Sequence, residues 1–534
     1  MNANRVCLAL GVFVIITSVL ASHSRAQAER FVLGPTARAI VEANRPDTSQ
    51  MYDVAMSVAF SDLLFPYSDF RCELDQDELE ELAVSRPDGP SAISPQDAMR
   101  EIDYVFRVLK YGYAGYQFFG GDGAFDTAKD CILKELGTRS DGLSLDEYEA
   151  LVCGHMDFIQ DGHLSIGRTR LCNSYVLFWN PEREFQRDAA GFFMIENGEI
   201  RRVVSIENDN PSSYLKPSIN EDGDIVYVLG TVCEKASAAF SIGLEYQSGL
   251  SDSIRLTPMA SVAQRGPAYE RGMLSGMPLL KCRSFEPTDA SIEALNAFID
   301  DAGRLRNEPV IIIDIRSNCG GSSQYAMAWL WRLTYQQPRP QQVTANLTTD
   351  TAIALLDNLL QRYPTAAQLP KDAAAFLRQN AHESRPGWSS IHHGAGVASS
   401  GGPFVAVIID SFVASAAETF ILSLRYMDNV VFIGGNTGGL LSAGAVGLCH
   451  LPISGVTMVA PVALNRYEDM TNRDGLGLLP DFWVDPDDAL GRVMRFLQKH
   501  LVSDDSGQPA YFDALGRGFR QYAATRYETI RLVA

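Results

Sequence analysis

Three short apolar runs, each long enough for one buried strand, constrain the fold of this chain more than any other feature. They are Val310 to Ile313, Phe404 to Ile409 and Val430 to Ile433. Apolar runs without alternation are typical of strands that are buried on both faces. Helical patterns lie before and between them, at Ile292 to Ala302, Gln324 to Thr334 and Ala416 to Tyr426. Strands that alternate with helices indicate an α/β layer.

The regions before this layer have different patterns. Residues 29–165 predict helices, because Ser94-Pro95-Gln96-Asp97 and Ser144-Leu145-Asp146-Glu147 both carry the capping signals of a helix start. Residues 166–288 hold short strand-like runs between turn clusters, such as Tyr175 to Phe178 and Ile225 to Leu229. The sequence therefore predicts a multidomain protein of mixed α/β and α+β class. Its parts are a helical N-terminal region, a β-rich module and an α/β core.

The length of the chain and its charge narrow this layout further. A chain of 534 residues is too long for one core of ordinary size, so several units are expected. We predict the α/β core at residues 289–500, interrupted at about 336–402 by polar and Pro/Gly-rich stretches typical of an insertion or lid. A helical tail is predicted at residues 501–534. The net charge of −20, with no basic stripe, argues against a nucleic-acid partner.

The N-terminus has the pattern of a secretory signal peptide over residues 1–28. Arg5 supplies a positive charge, the run Val6 to Ala21 is largely apolar, and Ala26-Gln27-Ala28 is a small-residue cleavage site. The apolar run is shorter than the roughly 20 residues that a bilayer span needs. We therefore expect an exported protein, periplasmic or secreted, that is not inserted in a membrane after cleavage.

The cysteines leave the pairing of thiols open. Of nine cysteines, Cys7 lies in the predicted signal, which leaves eight in the exported chain. An even number outside the cytoplasm permits disulfides, but the cysteines are too dispersed to define a framework. No two of them have the CxxC spacing of a structural zinc site. We predict neither a metal nor another cofactor.

The segment from Asp410 to Glu418 is the strongest candidate for chemistry. A buried strand ends there, the chain turns, and Ser415 lies where a helix begins. This position exposes a hydroxyl beside free helix amides, which a serine nucleophile needs because its tetrahedral intermediate develops an oxyanion. The same residues allow a purely structural interpretation, since Ser415-x-x-Glu418 is also a capping box. Taken alone, the segment favours the cap.

Four motifs in order resemble those of the tail-specific, or C-terminal processing, serine peptidases. They are Ile311 to Gly321 (IIIDIRSNCGG), Ala414-Ser415-Ala416-Ala417-Glu418, Ile433-Gly434 through Thr437-Gly438-Gly439, and Gly475 to Asp481 (GLGLLPD). Together they span roughly residues 290–490. The resemblance implies a crotonase-like core with Ser415 as nucleophile. It implies an oxyanion hole made by the amide of Ala416 with one of Gly320 or Gly321. It also assigns the β-rich module to the family's PDZ-like unit, whose exposed sheet edge would hold an extended peptide.

The family uses two kinds of base, and the sequence separates them. Where the Ser–Lys type has its lysine, this chain has Leu440, and no lysine occurs between residues 372 and 498. The other type, that of the tricorn-core and chlamydial proteases, takes a histidine from the N-terminal region. Asp161-Gly162-His163-Leu164 resembles the segment that supplies it. We therefore predict a Ser415–His163–acid triad.

The third member of the triad is the weakest part of this prediction. The family's glutamate precedes its Gly-x-Pro-Asp segment, and the matching residue here is Asp474. Either carboxylate can orient and stabilise an imidazolium. Glu468 and Asp469 remain alternatives, while Asp481 is expected to be structural.

These residues predict a serine endopeptidase that acts on a protein or peptide and forms an acyl-enzyme. The substitution of Asp for Glu leaves a second interpretation open, a peptide-binding protein that kept the fold but lost turnover. An exported esterase or amidase would use the same acyl-transfer groups. The sequence is compatible with a homo-oligomer and leaves the oligomeric state open.

Overall fold

The computed structural model describes residues 30–45, 54–85, 89–362, 377, 381–382, 384–467 and 470–503. The signal peptide prediction, the tail prediction beyond residue 503, and the alternatives Glu468 and Asp469 lie outside these residues. The fold is multidomain and mixes α and β structure, as the sequence predicts. No helix in the described ranges has the length and apolar character needed to cross a membrane.

A six-stranded sheet forms the centre of the C-terminal half, and we call it the catalytic sheet. Its first two strands are antiparallel and the others run parallel. In spatial order the strands are Tyr269–Leu274, Met277–Cys282, Val310–Asp314, Phe404–Ile409, Val430–Gly434 and Phe482–Trp483. The three apolar runs noted above are thus the three buried central strands, which confirms the α/β layer.

Helices cover both faces of the catalytic sheet, which explains why its central strands are apolar throughout. Three helices pack on one face, Ile292–Leu305, Ser323–Thr334 and Ala416–Leu424. The other face is covered by Pro35–Glu42 and Ala489–His500. A two-stranded ribbon joins Phe31–Leu33 to Leu501–Ser503 beside these two helices.

A second sheet, entirely antiparallel, lies between the catalytic sheet and the N-terminal helices. Its strands are His392–Gly394, Gln342–Asn346, Thr457–Tyr467, Ser165–Ile166 and Thr169–Arg170, with Ala443–His450 pairing on Thr457–Tyr467. Strand Gln342–Asn346 and helix Asp350–Arg362 belong to the region that the sequence presents as an insertion. The strand pairs with Thr457–Tyr467 and the helix packs on Ala443–His450. The described part of 336–402 is therefore built into the protein, in contrast to a separate lid.

The N-terminal helices pack on the second sheet through one large apolar cluster. Ser94 caps its helix by accepting a hydrogen bond from the Asp97 amide, and Ser144 forms a capping box with Glu147. Both predicted helix starts are thereby confirmed. The helices of this region are Val54–Ser61, Gln76–Ala83, Pro95–Gly112, Gly121–Gly137 and Leu145–Gly154, and the short strands Ala92–Ile93 and Leu143–Ser144 pair between them.

The β-rich module is a barrel of antiparallel strands with its own core. It closes because Thr257 and Pro258 pair with Trp179 and Phe178. Its strands are Tyr175–Asp188, Gly191–Glu196, Glu199–Ile206, Leu215–Ile219, Ile225–Glu234, Phe240–Tyr246 and Ser251–Pro258. The module differs in two ways from the prediction of a PDZ-like unit that ends at residue 288. The described structure of 166–288 contains no α-helix, only the 3-10 turn Pro211–Ser213, and strands 269–274 and 277–282 belong to the catalytic sheet.

Candidate active site

Ser415 lies at the carboxyl edge of the catalytic sheet, between strand Phe404–Ile409 and helix Ala416–Leu424. Its backbone has φ 56° and ψ −121°. A residue that merely caps a helix has dihedrals of the β region. A side chain at this positive φ costs on the order of 1–3 kcal/mol, and such strain clusters at functional sites. The backbone of Ser415 therefore differs from that of an ordinary cap.

Glu418 holds this strained turn in place. Its buried carboxylate accepts hydrogen bonds from the amides of Ser415 (3.0 Å), Gly439 (3.0 Å) and Leu440 (2.7 Å), and from the Thr437 hydroxyl. Burial raises the pKa of Glu418 to about 7, and these hydrogen bonds oppose the rise. Glu418 thus fastens the nucleophile turn to the glycine-rich loop that follows the third central strand.

His163 faces the serine hydroxyl, with Nε2 at 3.1 Å from Ser415 Oγ. It lies on the loop between helix Leu145–Gly154 and strand Ser165–Ile166. The preceding Asp161 fixes this loop, since its carboxylate accepts hydrogen bonds from the His163 amide (2.8 Å) and the Tyr113 hydroxyl (2.8 Å). The two residues that the sequence assigns to nucleophile and base are thus within hydrogen-bonding distance.

Leu440, which stands where the dyad type has its lysine, packs against the same loop. A Cβ atom placed on Gly162 would lie 2.8 Å from Leu440 Cγ and 2.8 Å from the Gly439 carbonyl oxygen. The glycine of Asp161-Gly162-His163 is therefore required by close packing. The position of the family's lysine holds an apolar side chain that supports the histidine loop.

Asp474 lies next to the histidine but directs its carboxylate to the backbone. One oxygen accepts from the amides of Leu441 (3.0 Å) and Ser442 (2.8 Å), and the other from the amide of Gly162 (3.0 Å). His163 Nδ1 is buried and has no hydrogen-bond partner in the described part of the chain. The structure thus brings Asp474 to the site without a hydrogen bond between its carboxylate and the imidazole.

The charge of Asp474 nevertheless acts on the imidazole. Burial lowers the pKa of His163 below its usual 6.5, and the negative charge of Asp474 opposes this lowering. Asp481, in contrast, lies away from the serine, and its carboxylate accepts hydrogen bonds from the Phe432 amide (2.8 Å) and the Asn44 side chain (3.1 Å).

The residues assigned to the oxyanion hole surround the nucleophile turn. Gly320 has φ 99°, and a Cβ atom there would lie 2.8 Å from the Ala414 carbonyl oxygen and 2.9 Å from Ser415 Cβ. Its amide, however, donates to Asn318 Oδ1 (3.0 Å). The amides of Ala416 and Gly321 donate to no acceptor within the described ranges. Of the residues predicted from sequence, Ala416 and Gly321 therefore have the amides that are free for a substrate oxygen.

Arg466 is a part of the site that sequence reasoning missed. It is 1% exposed, it lies over the ring of Phe118, and one of its nitrogens donates to the Ser442 carbonyl oxygen (3.1 Å). Burial lowers its pKa to about 10, and the charges of Asp474 and Asp161 oppose the lowering. Arg466 thus offsets two buried carboxylates behind His163. No sequence motif marks this arginine, whereas Asp161 and Glu418 lie inside motifs that could have drawn attention to them.

The chemistry available here is that of ionisable side chains and amides. Within the described ranges, no three His, Cys, Asp or Glu side chains come together as ligands for a metal ion. All eight described cysteines are free thiols. A hydroxyl beside an imidazole and two free amides can perform acyl transfer.

Comparison with known proteins assigns the domain that carries Ser415. Residues 279–482 match the sequence model of peptidase family S41. No curated protein matches the chain.

Among solved structures the chain is similar to mature CPAF, at 13% identity over 76% of this chain and 97% of that one, with a TM-score of 0.41. It is also similar to the photosystem II D1 C-terminal processing protease (13% identity, 74% and 97% covered, TM-score 0.33). The tricorn protease shares 11% identity over 80% of this chain and 37% of its own length, with a TM-score of 0.33. The family match and the motifs that agree with it show that residues 279–482 form a serine peptidase domain of family S41, the tail-specific proteases.

Proposed function

We propose that this peptidase is exported and cleaves peptide bonds through an acyl-enzyme on Ser415, with His163 as base and Asp474 as supporting acid. The observation that carries the proposal is the 3.1 Å separation of His163 Nε2 and Ser415 Oγ at the start of a helix. This is the distance at which a histidine accepts the proton of an attacking hydroxyl. The free amides of Ala416 and Gly321 support it.

The proposed reaction has two halves. Ser415 Oγ attacks the peptide carbonyl carbon while its proton passes to His163 Nε2, and the carbonyl oxygen becomes an oxyanion beside the free amides. His163 then protonates the leaving amine and the carbon–nitrogen bond breaks. A water molecule, deprotonated by His163, attacks the acyl ester in the same way and releases the acid product and Ser415.

Asp474 acts in this scheme through its charge. The imidazolium that forms during attack is buried, and burial disfavours a cation. A negative charge nearby offsets that cost. Three amides, those of Gly162, Leu441 and Ser442, donate hydrogen bonds to the Asp474 carboxylate and hold it in this position.

Export is supported by the signal pattern of residues 1–28. Strand Phe31–Leu33 follows the predicted cleavage site almost directly and pairs with Leu501–Ser503. A leader before residue 29 can therefore be removed without cutting a described element. Sequencing the N-terminus of the protein after expression with its leader tests this, with Glu29 as the expected first residue.

A binding protein without turnover is a second candidate, favoured by one observation. His163 Nδ1 is bonded to no acceptor in the described part of the chain, so the imidazole lacks the partner that orients it in a working triad. A serine-reactive fluorophosphonate distinguishes the two candidates. We expect labelling of the wild type and none of Ser415→Ala.

Casein cleavage and N-terminomics with the active protein and Ser415→Ala then test peptide hydrolysis directly. A wild type that is never labelled and cleaves nothing supports the binding protein. Hydrolysis of nitrophenyl esters without casein cleavage supports an esterase instead.

A further inference from the structure

Arg170 lies on the hairpin that directly follows His163. Ser165 pairs with Arg170 across the hairpin, and the Leu171 amide donates to the Leu164 carbonyl oxygen (3.0 Å). Side chains of directly opposed residues lie on the same side of a sheet, and diagonal neighbours are within reach of a long side chain. The hairpin therefore carries the guanidinium of Arg170 close to the histidine.

The charge of Arg170 acts on three groups around the site. Burial lowers the pKa of His163, and the charge of Arg170 adds to the lowering. Burial raises the pKa of Cys172 to about 12 and also raises that of Cys319, and Arg170 opposes both rises. Cys172 lies beside Gly475 of the acid segment, and Cys319 lies in the glycine loop next to Gly320. The charge of Arg170 therefore acts on the histidine loop, the hairpin beside the acid segment and the glycine loop.

The side chain of Arg170 is exposed, and it has no ion pair or hydrogen bond within the described ranges. The neighbouring arginine of the hairpin is engaged, since Arg168 pairs with Asp146. The exposed guanidinium of Arg170, on the hairpin that follows His163, is thus left free for a ligand.

We propose that Arg170 binds a carboxylate of the substrate close to the scissile bond and so makes the peptidase prefer acidic peptides. A planar guanidinium matches a carboxylate with two parallel hydrogen bonds. The source of the carboxylate is an Asp or Glu side chain or the C-terminus of a peptide. Since the whole chain carries a net charge of −20 and repels acidic ligands, a local cation is needed for such a preference. The inference rests on the proposed function.

The test measures binding separately from turnover. Peptides from the N-terminomics experiment, or casein peptides if none is found, are made with Glu or Gln within three residues of the bond, each with a free or an amidated C-terminus. Their dissociation constants are measured on Ser415→Ala. We expect the carboxylate-bearing peptide of a matched pair to bind more tightly, by about fivefold for an exposed ion pair. The Glu–Gln pairs report a side-chain carboxylate and the free–amidated pairs report a C-terminus.

Two further variants decide the assignment. In Ser415→Ala with Arg170→Gln the preference should disappear, and with Arg170→Glu the Glu peptide of a pair should bind more weakly than its Gln partner. Arg168→Gln, on the same hairpin, should leave it unchanged. Equal affinities within every pair, or a preference that survives Arg170→Gln, would overturn the inference, whereas a wild type without turnover overturns only the proposed function.

Discussion

The two nitrogens of the His163 ring face regions that are built differently. On the nucleophile side, Nε2 lies 3.1 Å from Ser415 Oγ, and Glu418 accepts a hydrogen bond from the Ser415 amide within the same helix start. On the acid side, Nδ1 has no partner in the described part of the chain, and Asp474 is held by amides from two other segments. The first side is ready for proton transfer, whereas the second acts on the ring through charge.

This difference shows that residues close together in the chain can position a nucleophile, whereas its acid can depend on segments that are far apart in the chain. The turn at Ser415 depends on a strand, a strained residue and a capping glutamate, all close together in the chain. Asp474 depends on the meeting of the histidine loop, residues 441–442 and the segment after residue 470. We therefore expect Ser415→Ala to affect catalysis alone, and substitutions of Asp474 to affect both catalysis and folding.

The largest effect is expected on the nucleophile side. Ser415→Ala removes the attacking atom and should lower turnover by about 10⁴–10⁶. The variant should melt at the same temperature as the wild type or higher, because the hydroxyl of Ser415, on its strained backbone, makes no hydrogen bond that folding needs. Ser411→Ala, in the same loop, is the matched control and should keep wild-type rates. Equal peptidase activity in Ser415→Ala and the wild type would remove the nucleophile assignment.

The substitution Asp474→Asn is expected to have the second largest effect on turnover. In a related triad this change costs about 10⁴ in turnover through the wrong histidine tautomer. Here an asparagine also turns a donor toward amides that need an acceptor, so we expect a lower melting temperature as well. Asp474→Glu should retain measurable activity, since the longer carboxylate is the family's usual residue. Kinetics and thermal melts on both variants separate the two effects.

A silent Asp474→Asn would mean that the residue only closes a surface turn. The alternatives Glu468→Gln and Asp469→Asn provide the comparison. Loss of turnover in either, with Asp474→Asn active, would move the acid upstream.

The pH dependence should show the burial of His163. The base must be neutral to accept the serine proton, so activity falls as pH drops through its pKa. Because burial lowers that pKa, we expect the rising limb of kcat/KM below about 6.5. Asp474→Asn should move the limb lower still, since the charge that raises the pKa is gone. A limb above 7, or an unchanged profile and rate in His163→Ala, would contradict the assignment of the base.

The smallest expected effect concerns stability on the nucleophile side. The pKa of Glu418 is raised to about 7 in the folded protein, so the group binds a proton more tightly there than in the unfolded chain. The contribution of Glu418 to the free energy of unfolding is complete below about pH 4.5 and is lost as the pH rises through about 7. Glu418→Gln should therefore weaken the loss of stability between pH 5 and 8, by on the order of 1–3 kcal/mol of unfolding free energy. Thermal melts at both pH values measure this as a smaller fall in melting temperature. The exposed Glu81→Gln is the control and should leave this dependence unchanged.

The sequence predicted what local patterns encode. The central strands, the helix starts at Ser94 and Ser144, and the helix after Ser415 each follow from a few neighbouring residues, and the structure has all of them. The resemblance to the family's motifs, and no local pattern, predicts that Ser415 pairs with His163. The structure brings these two together, although their positions alone do not imply a contact.

Local sequence patterns do not predict which distant segments of the chain pair with each other. Strand Tyr269–Leu274 has no local signal that assigns it to the catalytic sheet and not to the barrel, and the barrel closes through residues 178–179 and 257–258, far apart in the chain. Arg466 lies near the end of the largely apolar strand Thr457–Tyr467, and the carboxylates that it offsets, Asp161 and Asp474, come from other segments. Such positions depend on which segments meet, which local patterns do not record.

The ribbon of Phe31–Leu33 with Leu501–Ser503 has a consequence for biogenesis. The first strand of the described fold has no partner until the last one has left the ribosome. Helix Pro35–Glu42, which packs on the same face as Ala489–His500, must wait with it. A nascent chain therefore keeps one face of its central sheet open throughout synthesis. This delay agrees with the export that we propose, because a translocation pore that admits only unfolded polypeptide needs a chain that has not yet closed.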